Sequence, residues 1–182
     1  MAGYLITCFV LLSGYPSSDY KVHPKKFNTC IEVYAAAAGN GLDPVLLSSV
    51  AYVESGFIST AVSSKGAVGP LQILPRYFCP KGKRSGCDYI QAGIDAFKAW
   101  NKRYPKIKET LCHYNSGNRC NSRSKSYARL VLRKSNRVKK VLGDVPWYEN
   151  YRVESCYQCP ECCAPPVSSH KDYMSWLGSL IK

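Results

Sequence analysis

The sequence is poor in acidic residues. Asp and Glu together number 12, against 25 Lys and Arg, which gives a formal net charge of +13. A surface this basic attracts polyanions, and nucleic acid, anionic lipid and the peptide carboxylates of a bacterial cell wall are the kinds to weigh. Charge alone does not choose among them. With 46% apolar and 20% charged residues, the composition excludes a disordered chain and is typical of one folded domain.

The sequence also lacks a hydrophobic run long enough to cross a bilayer, for which ~20 apolar residues are needed. The apolar stretch near the N-terminus, Tyr4 to Leu12, is too short. It has neither the basic flank nor the Ala-x-Ala site of a secretory signal. We interpret residues 1–25 as an apolar segment that the protein retains. The alternative of a weak signal, or of an anchor that contacts a membrane, stays open.

Strand-like alternation and internal repeats are missing too, so a mainly α fold is predicted. Apolar periodicity predicts helices over 27–38, 44–55, 88–104, 107–114 and 125–142, with Asp43 and Asp88 as N-caps and Gly56 as the stop of the second helix. In the first of these helices, the positions expected to face the core are Phe27, Cys30, Ile31, Tyr34, Ala35 and Ala38. Residues 58–86 are expected to form a loop. We assign residues 26–143 to one helical domain and residues 144–182 to an irregular, Cys-rich extension.

Ten cysteines indicate a protein that works in an oxidising compartment. Cys79 with Cys87, and Cys112 with Cys120, would each close a short loop as a disulfide, and free thiols are the open alternative. A second cluster has the CxxC spacing that zinc ligands use, but its members are closely bunched and no second ligand pair follows. Disulfides are favoured there, and we predict no metal and no cofactor. The cluster comprises Cys156, Cys159, Cys162 and Cys163.

Glu54 is the residue whose position is hardest to explain structurally. It lies within the apolar stripe of the 44–55 helix, and a carboxylate on such a stripe is rare unless it is paired or functional. Burial and the negative end of the helix dipole should both raise its pKa, as a general acid requires. A buried salt bridge to one of the many cations is the structural alternative.

No Asp or Glu follows between Ser55 and Cys87. Ordinary glycosidases need two carboxylates, about 5–10 Å apart. A sugar-cleaving site with one carboxylate indicates chemistry in which the substrate supplies its own nucleophile.

Three ordered motifs surround this carboxylate in the sequence. Val53 to Phe57 reads Val-Glu-Ser-Gly-Phe. Ala61 to Pro75 reads Ala-Val-Ser-Ser-Lys-Gly-Ala-Val-Gly-Pro-Leu-Gln-Ile-Leu-Pro, and His113 to Gly117 reads His-Tyr-Asn-Ser-Gly. Together with Tyr127 to Val131, a stretch of the 125–142 helix whose Tyr127 is expected on the apolar face, they resemble the soluble lytic transglycosylase family over residues 27–142.

The resemblance implies a lysozyme-like helical fold and cleavage of the β-1,4 bond between N-acetylmuramic acid and N-acetylglucosamine. It implies that Glu54 first protonates the glycosidic oxygen and then accepts the proton of the muramoyl C6 hydroxyl, which leaves a 1,6-anhydro end. It places Tyr114 close to the carboxyl and Gly69 where the backbone approaches the glycan. The other residues that it places along the sugar cleft are Ser63, Gln72, Leu74 and Asn115.

The sequence departs from the family pattern at three places. Pro70-Leu71 replaces Leu-Met. His113 replaces an Ala, and we interpret it as a surface or supporting residue rather than a catalyst. No acidic residue lies between Arg119 and Lys140, so the auxiliary carboxylate of some members is absent.

That last stretch is strongly basic and indicates a docking face for anionic cell wall, or for packaged DNA in a virion. A solvated helix face is the alternative, and no nucleic-acid motif with interleaved aromatic residues favours DNA. The basic residues are Arg119, Arg123, Lys125, Arg129, Arg133, Lys134, Arg137, Lys139 and Lys140.

The sequence therefore predicts a peptidoglycan lytic transglycosylase, encoded by a phage for genome entry or lysis, or by a bacterium for a secretion or conjugation system. Two alternatives remain: a goose-type lysozyme that hydrolyses the same bond, and a non-catalytic virion or wall-binding protein. The expected partners are glycan strands, with virion or envelope proteins left open. The expected location is a virion or the bacterial cell envelope.

Overall fold

The computed structural model describes residues 2–13 and 23–143. Within these ranges the backbone is helical, with isolated β-bridges in place of strands, and the predicted mainly α fold class is confirmed. The predicted C-terminal extension, with its four cysteines, lies outside the described residues. The helices are α1 (Ala2–Ser13), α2 (Pro24–Gly39), α3 (Pro44–Ser55), α4 (Pro75–Phe78), α5 (Tyr89–Arg103), α6 (Ile107–Ser116) and α7 (Ser122–Gly143), with a 3₁₀ turn at Pro80–Gly82.

α3 is the central helix and packs against α1, α2 and α7. It begins and ends where its caps predict: the Asp43 carboxylate accepts a hydrogen bond from the Leu46 amide at 3.0 Å, and Gly56 ends the helix with φ +59°. Ser48 and Ser49, on the side expected to be polar, are buried as well. The Ser49 hydroxyl compensates by donating to the Val45 carbonyl at 2.8 Å.

α2 begins at Pro24, slightly before its predicted start, and its buried face differs from the predicted one. Ala35 is exposed, whereas Val33 and Ala37 are buried beside Cys30 and Tyr34. Residues 35–38 are four consecutive alanines, so the apolar pattern there does not distinguish one side of the helix from the other. The contacts with α1 and α3 set the orientation instead.

α1 is part of the hydrophobic core. Every residue from Leu5 to Leu11 is buried, and the helix packs against α2, α3 and α7. A disulfide between Cys8 and Cys30 attaches it to α2. A helix that is apolar all round is expected to be buried in this way. Among the described residues, no helix is long and apolar enough to cross a membrane.

Residues 57–88 form the loop region that the sequence predicts, although α4 and the 3₁₀ turn were not predicted. The backbone folds into two consecutive tight turns: Ser63 pairs with Ala67 at 2.9 Å, and Val68 pairs with Ile73 at 2.8 and 3.1 Å. A second, smaller hydrophobic cluster lies beneath these turns, and the Cys79–Cys87 disulfide closes the end of the region.

α5, α6 and α7 complete the fold. The Asp88 carboxylate caps α5 as predicted, accepting from the amides of Ile90 and Gln91 at 2.9 and 3.0 Å. The predicted Cys112–Cys120 disulfide joins the end of α6 to the segment before α7. The exposed face of α7 carries basic residues one turn apart, among them Lys125, Arg129 and Arg133.

Replacing Cys8 and Cys30 together by Ala is expected to lower the free energy of unfolding by about 3 kcal/mol, because the cross-link spans 22 residues. Urea denaturation measures this change. Limited proteolysis with a protease that cleaves after aromatic residues should also cut this variant after Phe9, a residue that is buried in the wild type.

The matched control is the double replacement of Cys79 and Cys87 by Ala, which opens a loop far from α1 in sequence and should leave Phe9 protected. Equal protection of Phe9 in both variants would mean that the disulfide does not hold α1 in the core.

Candidate active site

Glu54 lies in the last turn of α3, with its carboxyl largely withdrawn from water. Burial raises the pKa of this carboxyl to about 7, and the Tyr127 hydroxyl acts in the opposite direction. A buried carboxyl held near neutral pH is protonated in a large fraction of molecules and can still lose its proton. This is the property of a residue that both donates and accepts protons.

Two tyrosine hydroxyls, those of Tyr114 and Tyr127, lie near Glu54. Burial raises the pKa of both phenols well above the usual range, and the negative charge of Glu54 raises each further. The Tyr127 hydroxyl is buried close to the Glu54 carboxyl, and it lowers the pKa of that carboxyl. Sequence reasoning assigned Tyr127 only to the apolar face of α7. The signal that could have identified it is its place in the motif that opens that helix.

The chain reverses direction directly after Glu54. Gly56 and Phe57 both have left-handed backbone conformations, with φ of +59° and +63°. This conformation is unfavourable for an aromatic residue, but it places the Phe57 ring in the core, where the residue is 1% exposed. The reversal brings the 58–74 segment back across the end of α3.

Side chains on either side of the Glu54 carboxyl hold the returning segment in place. The Ser55 hydroxyl donates to the Pro70 carbonyl at 2.9 Å, and the Tyr114 hydroxyl donates to the Leu71 carbonyl at 2.7 Å. The Tyr114 ring contacts both hydrophobic clusters. The segment is therefore attached to α3 and to α6 beside the carboxyl, and Ser55 has a role that the sequence did not reveal.

Three of the predicted cleft residues, Ser63, Gly69 and Gln72, lie in this segment and stabilise its turns. The Ser63 hydroxyl accepts from the Ala67 amide at 3.0 Å. The Gln72 amide nitrogen donates to the carbonyls of Gly69 and Ala61 at 2.9 and 3.3 Å. Gly69 has φ +75°, and a Cβ added there would lie 2.5 Å from the Tyr89 Cβ. The close approach that requires glycine is thus to Tyr89.

The two remaining predicted residues differ in exposure. Leu74 is half-buried at the start of α4. Asn115 is exposed near the end of α6, and its side chain has no hydrogen-bond partner among the described residues. It follows Tyr114 in the chain and is available to bind a ligand.

His113 is buried rather than on the surface. Its ring stacks on Tyr104 with centroids 3.7 Å apart and lies 5.9 Å from Trp100. Its Nδ1 is 2.7 Å from the Gly117 carbonyl oxygen. These contacts fix the end of α6, so His113 supports the segment that carries Tyr114 and Asn115.

The other carboxylates among the described residues have structural roles or lie on the surface. Asp43 and Asp88 cap α3 and α5, and Asp95 accepts from Gln91. Glu109 forms an exposed ion pair with Lys106, and Glu32 is exposed on α2. Within residues 2–13 and 23–143, no group of three or more His, Cys, Asp or Glu side chains is placed to hold a metal ion.

Comparison with known families gives one match. The family model described as Transglycosylase SLT domain matches residues 32–135, a range that contains Glu54 and every residue that we predicted for the cleft. α1, Cys8 and the first turns of α2 lie outside it. No solved structure matches the chain.

Glu54→Gln should stabilise the protein above neutral pH. The pKa of Glu54 is raised from 4.5 to about 7 on folding, so the wild type loses stability as the pH rises from about 4.5 through 7. A neutral amide avoids that loss, and the gain above pH 7 should reach about 3 kcal/mol. Urea denaturation of both proteins at pH 4 and pH 8 measures it. A difference that does not change with pH would contradict a buried carboxyl.

Tyr127→Phe should raise the pKa of Glu54 further, because the hydroxyl that lowers it is removed. Carbon-13 NMR titration of the Glu54 carboxyl measures the shift directly. Tyr114→Phe is the control, since its hydroxyl donates to the Leu71 carbonyl. That variant should lose about 1 kcal/mol of stability with a smaller change in the Glu54 titration. An unchanged titration in Tyr127→Phe would show that the hydroxyl does not act on the carboxyl.

Proposed function

The chain belongs to the SLT transglycosylase family, and from this premise we propose that it is a peptidoglycan lytic transglycosylase. It cleaves the β-1,4 bond between N-acetylmuramic acid and N-acetylglucosamine and leaves a 1,6-anhydro end. One observation carries the proposal: burial raises the pKa of the Glu54 carboxyl to about 7, and two tyrosine hydroxyls lie near it.

In the first step Glu54 is the general acid. Its neutral carboxyl donates a proton to the glycosidic oxygen while the bond from that oxygen to muramoyl C1 breaks, and the N-acetylglucosamine leaves with a free 4-hydroxyl. Positive charge develops at C1 and negative charge on Glu54. A pKa near 7 supports this role because a large share of the carboxyl is protonated at neutral pH.

In the second step the same group is the general base. The Glu54 carboxylate accepts the proton of the muramoyl C6 hydroxyl while that oxygen bonds to C1. The ring closes without water, and Glu54 is neutral again. Tyr127, whose approach favours the charged carboxylate, stabilises Glu54 between the two steps.

The residues around the carboxyl support binding of a glycan. The exposed Asn115 amide offers a donor and an acceptor to sugar hydroxyl or acetamido groups. Ser63 accepts a hydrogen bond from Ala67 and keeps its own proton to donate. Gln72 uses its amide nitrogen within the turn, so its oxygen is the atom left for a ligand. Leu74 supplies apolar contact, and Gly69 shapes the turn.

The number of carboxylates favours this chemistry over hydrolysis by a pair of acids. A glycosidase that uses water or a covalent nucleophile places a second carboxylate about 5–10 Å from the first. The other described carboxylates are helix caps, are bonded elsewhere or lie exposed. The C6 hydroxyl of the substrate then replaces the missing group.

The proposed setting is outside a reducing cytosol, in a virion or in the cell envelope. Three disulfides among the described residues are compatible with an oxidising, extracytoplasmic location. The net charge of +13 would favour adsorption to the anionic wall. A phage enzyme for genome entry or lysis fits both features.

The test is mass spectrometry of the muropeptides released from purified peptidoglycan. Wild type should release ends one water lighter than hydrolysed ends, and Glu54→Gln should release at least ~100-fold less, as expected for loss of a general acid–base group. Glu109→Gln, an exposed carboxylate on α6, is the control and should retain full activity.

Three results would contradict the proposal in different ways. Hydrated reducing ends would make the protein a goose-type lysozyme. No product from folded wild type would favour a non-catalytic wall-binding role. Full activity of Glu54→Gln would overturn the assigned catalytic residue.

A further inference from the structure

A pocket of about 400 Å³ lies beside α3, at the junction of α1, α2, α3 and α7. Its apolar wall consists of Leu12, Val53 and Leu130, and the Tyr52 ring and Gly56 complete its surface around two lysines. All of these residues are half-buried, so the pocket is open to solvent. Its volume suits a small group or a short peptide segment rather than a single ion.

The two lysines, Lys26 on α2 and Lys134 on α7, give the pocket a positive charge that the described residues do not neutralise. The ion pairs among these residues are Lys106–Glu109 and Lys139–Asp43, and the part of the lining that falls within residues 2–13 and 23–143 contains no carboxylate. The Lys134 ammonium lies 4.8 Å from the centre of the Tyr52 ring. Two half-buried cations around one opening repel each other, and an anion between them would offset the repulsion.

The pocket lies beside the helical turn that carries Glu54. Val53 and Gly56 are near neighbours of Glu54 in the last turn of α3, and α7 carries Tyr127 as well as Leu130 and Lys134. A helix with its side chains is about 10–12 Å across. An extended peptide of four residues spans about 13–14 Å. A peptide of this length exceeds the width of a helix, so a sugar at Glu54 and a peptide in the pocket are compatible with a single ligand.

Part of the pocket comes from segments outside the family match. Leu12 and Lys26 precede residue 32, where the match begins, and the Cys8–Cys30 disulfide holds α1 against α2. The N-terminal helix therefore builds a binding surface beside the family's catalytic domain, in addition to filling the core.

Resting on the proposed function, we infer that this pocket binds the stem peptide of peptidoglycan. The muramoyl lactyl group carries that peptide, which combines free carboxylates with small apolar side chains. Its carboxylates would pair with the ammonium groups of Lys26 and Lys134. Its methyl groups would pack on Leu12, Val53 and Leu130.

The experiment uses the full chain and a defined probe, the tetrapeptide that an amidase releases from purified peptidoglycan. This peptide has no glycosidic bond, so its binding to the wild type is measured by calorimetry without turnover. Lys26→Met and Lys134→Met should each raise Kd about 10-fold, because each removes one charge-assisted contact.

Matched controls separate this site from general attraction to a basic protein. Lys25→Met and Arg133→Met each remove an exposed charge next to a pocket lysine in sequence and should change Kd by less than twofold. Lys134→Arg keeps the charge over Tyr52 and should retain most of the binding. Equal losses in pocket and control variants, or no loss in either, would overturn the inference. Thermal melts confirm that every variant is folded.

A second measurement distinguishes failure of this inference from failure of the proposed activity. The pocket variants should raise KM for intact peptidoglycan and leave cleavage of peptide-free glycan strands unchanged. Lysine-dependent binding by a protein that releases no products would overturn the activity and leave the pocket standing. Products from a protein that binds no tetrapeptide would overturn the pocket alone.

Discussion

The attachment of the Pro70–Leu71 backbone to the end of α3 is the contact on which the rest of the site depends. Ser55 and Tyr114 donate to these two carbonyls, and Glu54 lies beside both donors. Burial of Glu54 raises its pKa, and a carboxyl that regained full contact with water would titrate like an exposed glutamate. The raised pKa therefore depends on the packing around the end of α3 as well as on the position of Glu54 in the helix.

α5 approaches the same segment so closely that only glycine fits at two contact points. A Cβ on Gly93 would lie 2.4 Å from Leu71 Cδ1, and a Cβ on Gly69 would lie 2.5 Å from the Tyr89 Cβ. Neither distance is compatible with packed side chains. The two glycines therefore let α5 pack directly against the turns, which Ser55 and Tyr114 also attach through hydrogen bonds. The segment is thus held mainly by its contacts with the helices, since its own strand pairing is limited to isolated β-bridges.

Features that depend on neighbouring residues in the chain, such as helix ends, were predicted correctly from the sequence. Features that depend on packing between distant segments were not. The Asp43 and Asp88 caps and the Gly56 stop are local, and all three were predicted correctly. So were the two disulfides that close short loops. The predicted buried face of α2 was wrong at Ala35, because the orientation of α2 is set by its packing against α3 and α1, and no spacing rule indicates the disulfide to α1.

The candidate site divides in the same way. The apolar stripe of α3 predicted a catalytic role for Glu54, and burial does raise the pKa of this residue. The motifs predicted Tyr114, which lies near Glu54, and Asn115, whose role stays a prediction. The contributions of Tyr127 and Ser55 could not be predicted, because each acts across a contact between separate elements.

Two opposing effects on Glu54 explain how one carboxyl can serve both steps of the proposed reaction. Burial alone would favour the neutral acid and make it a poor base, while full hydrogen bonding would favour the anion and make it a poor acid. Here burial dominates and Tyr127 opposes it, which leaves the pKa at about 7. Near that value, donating and accepting a proton at neutral pH cost similar free energies. A site whose substrate supplies the nucleophile needs this balance more than it needs a second acid, and in this fold burial and Tyr127 set it together.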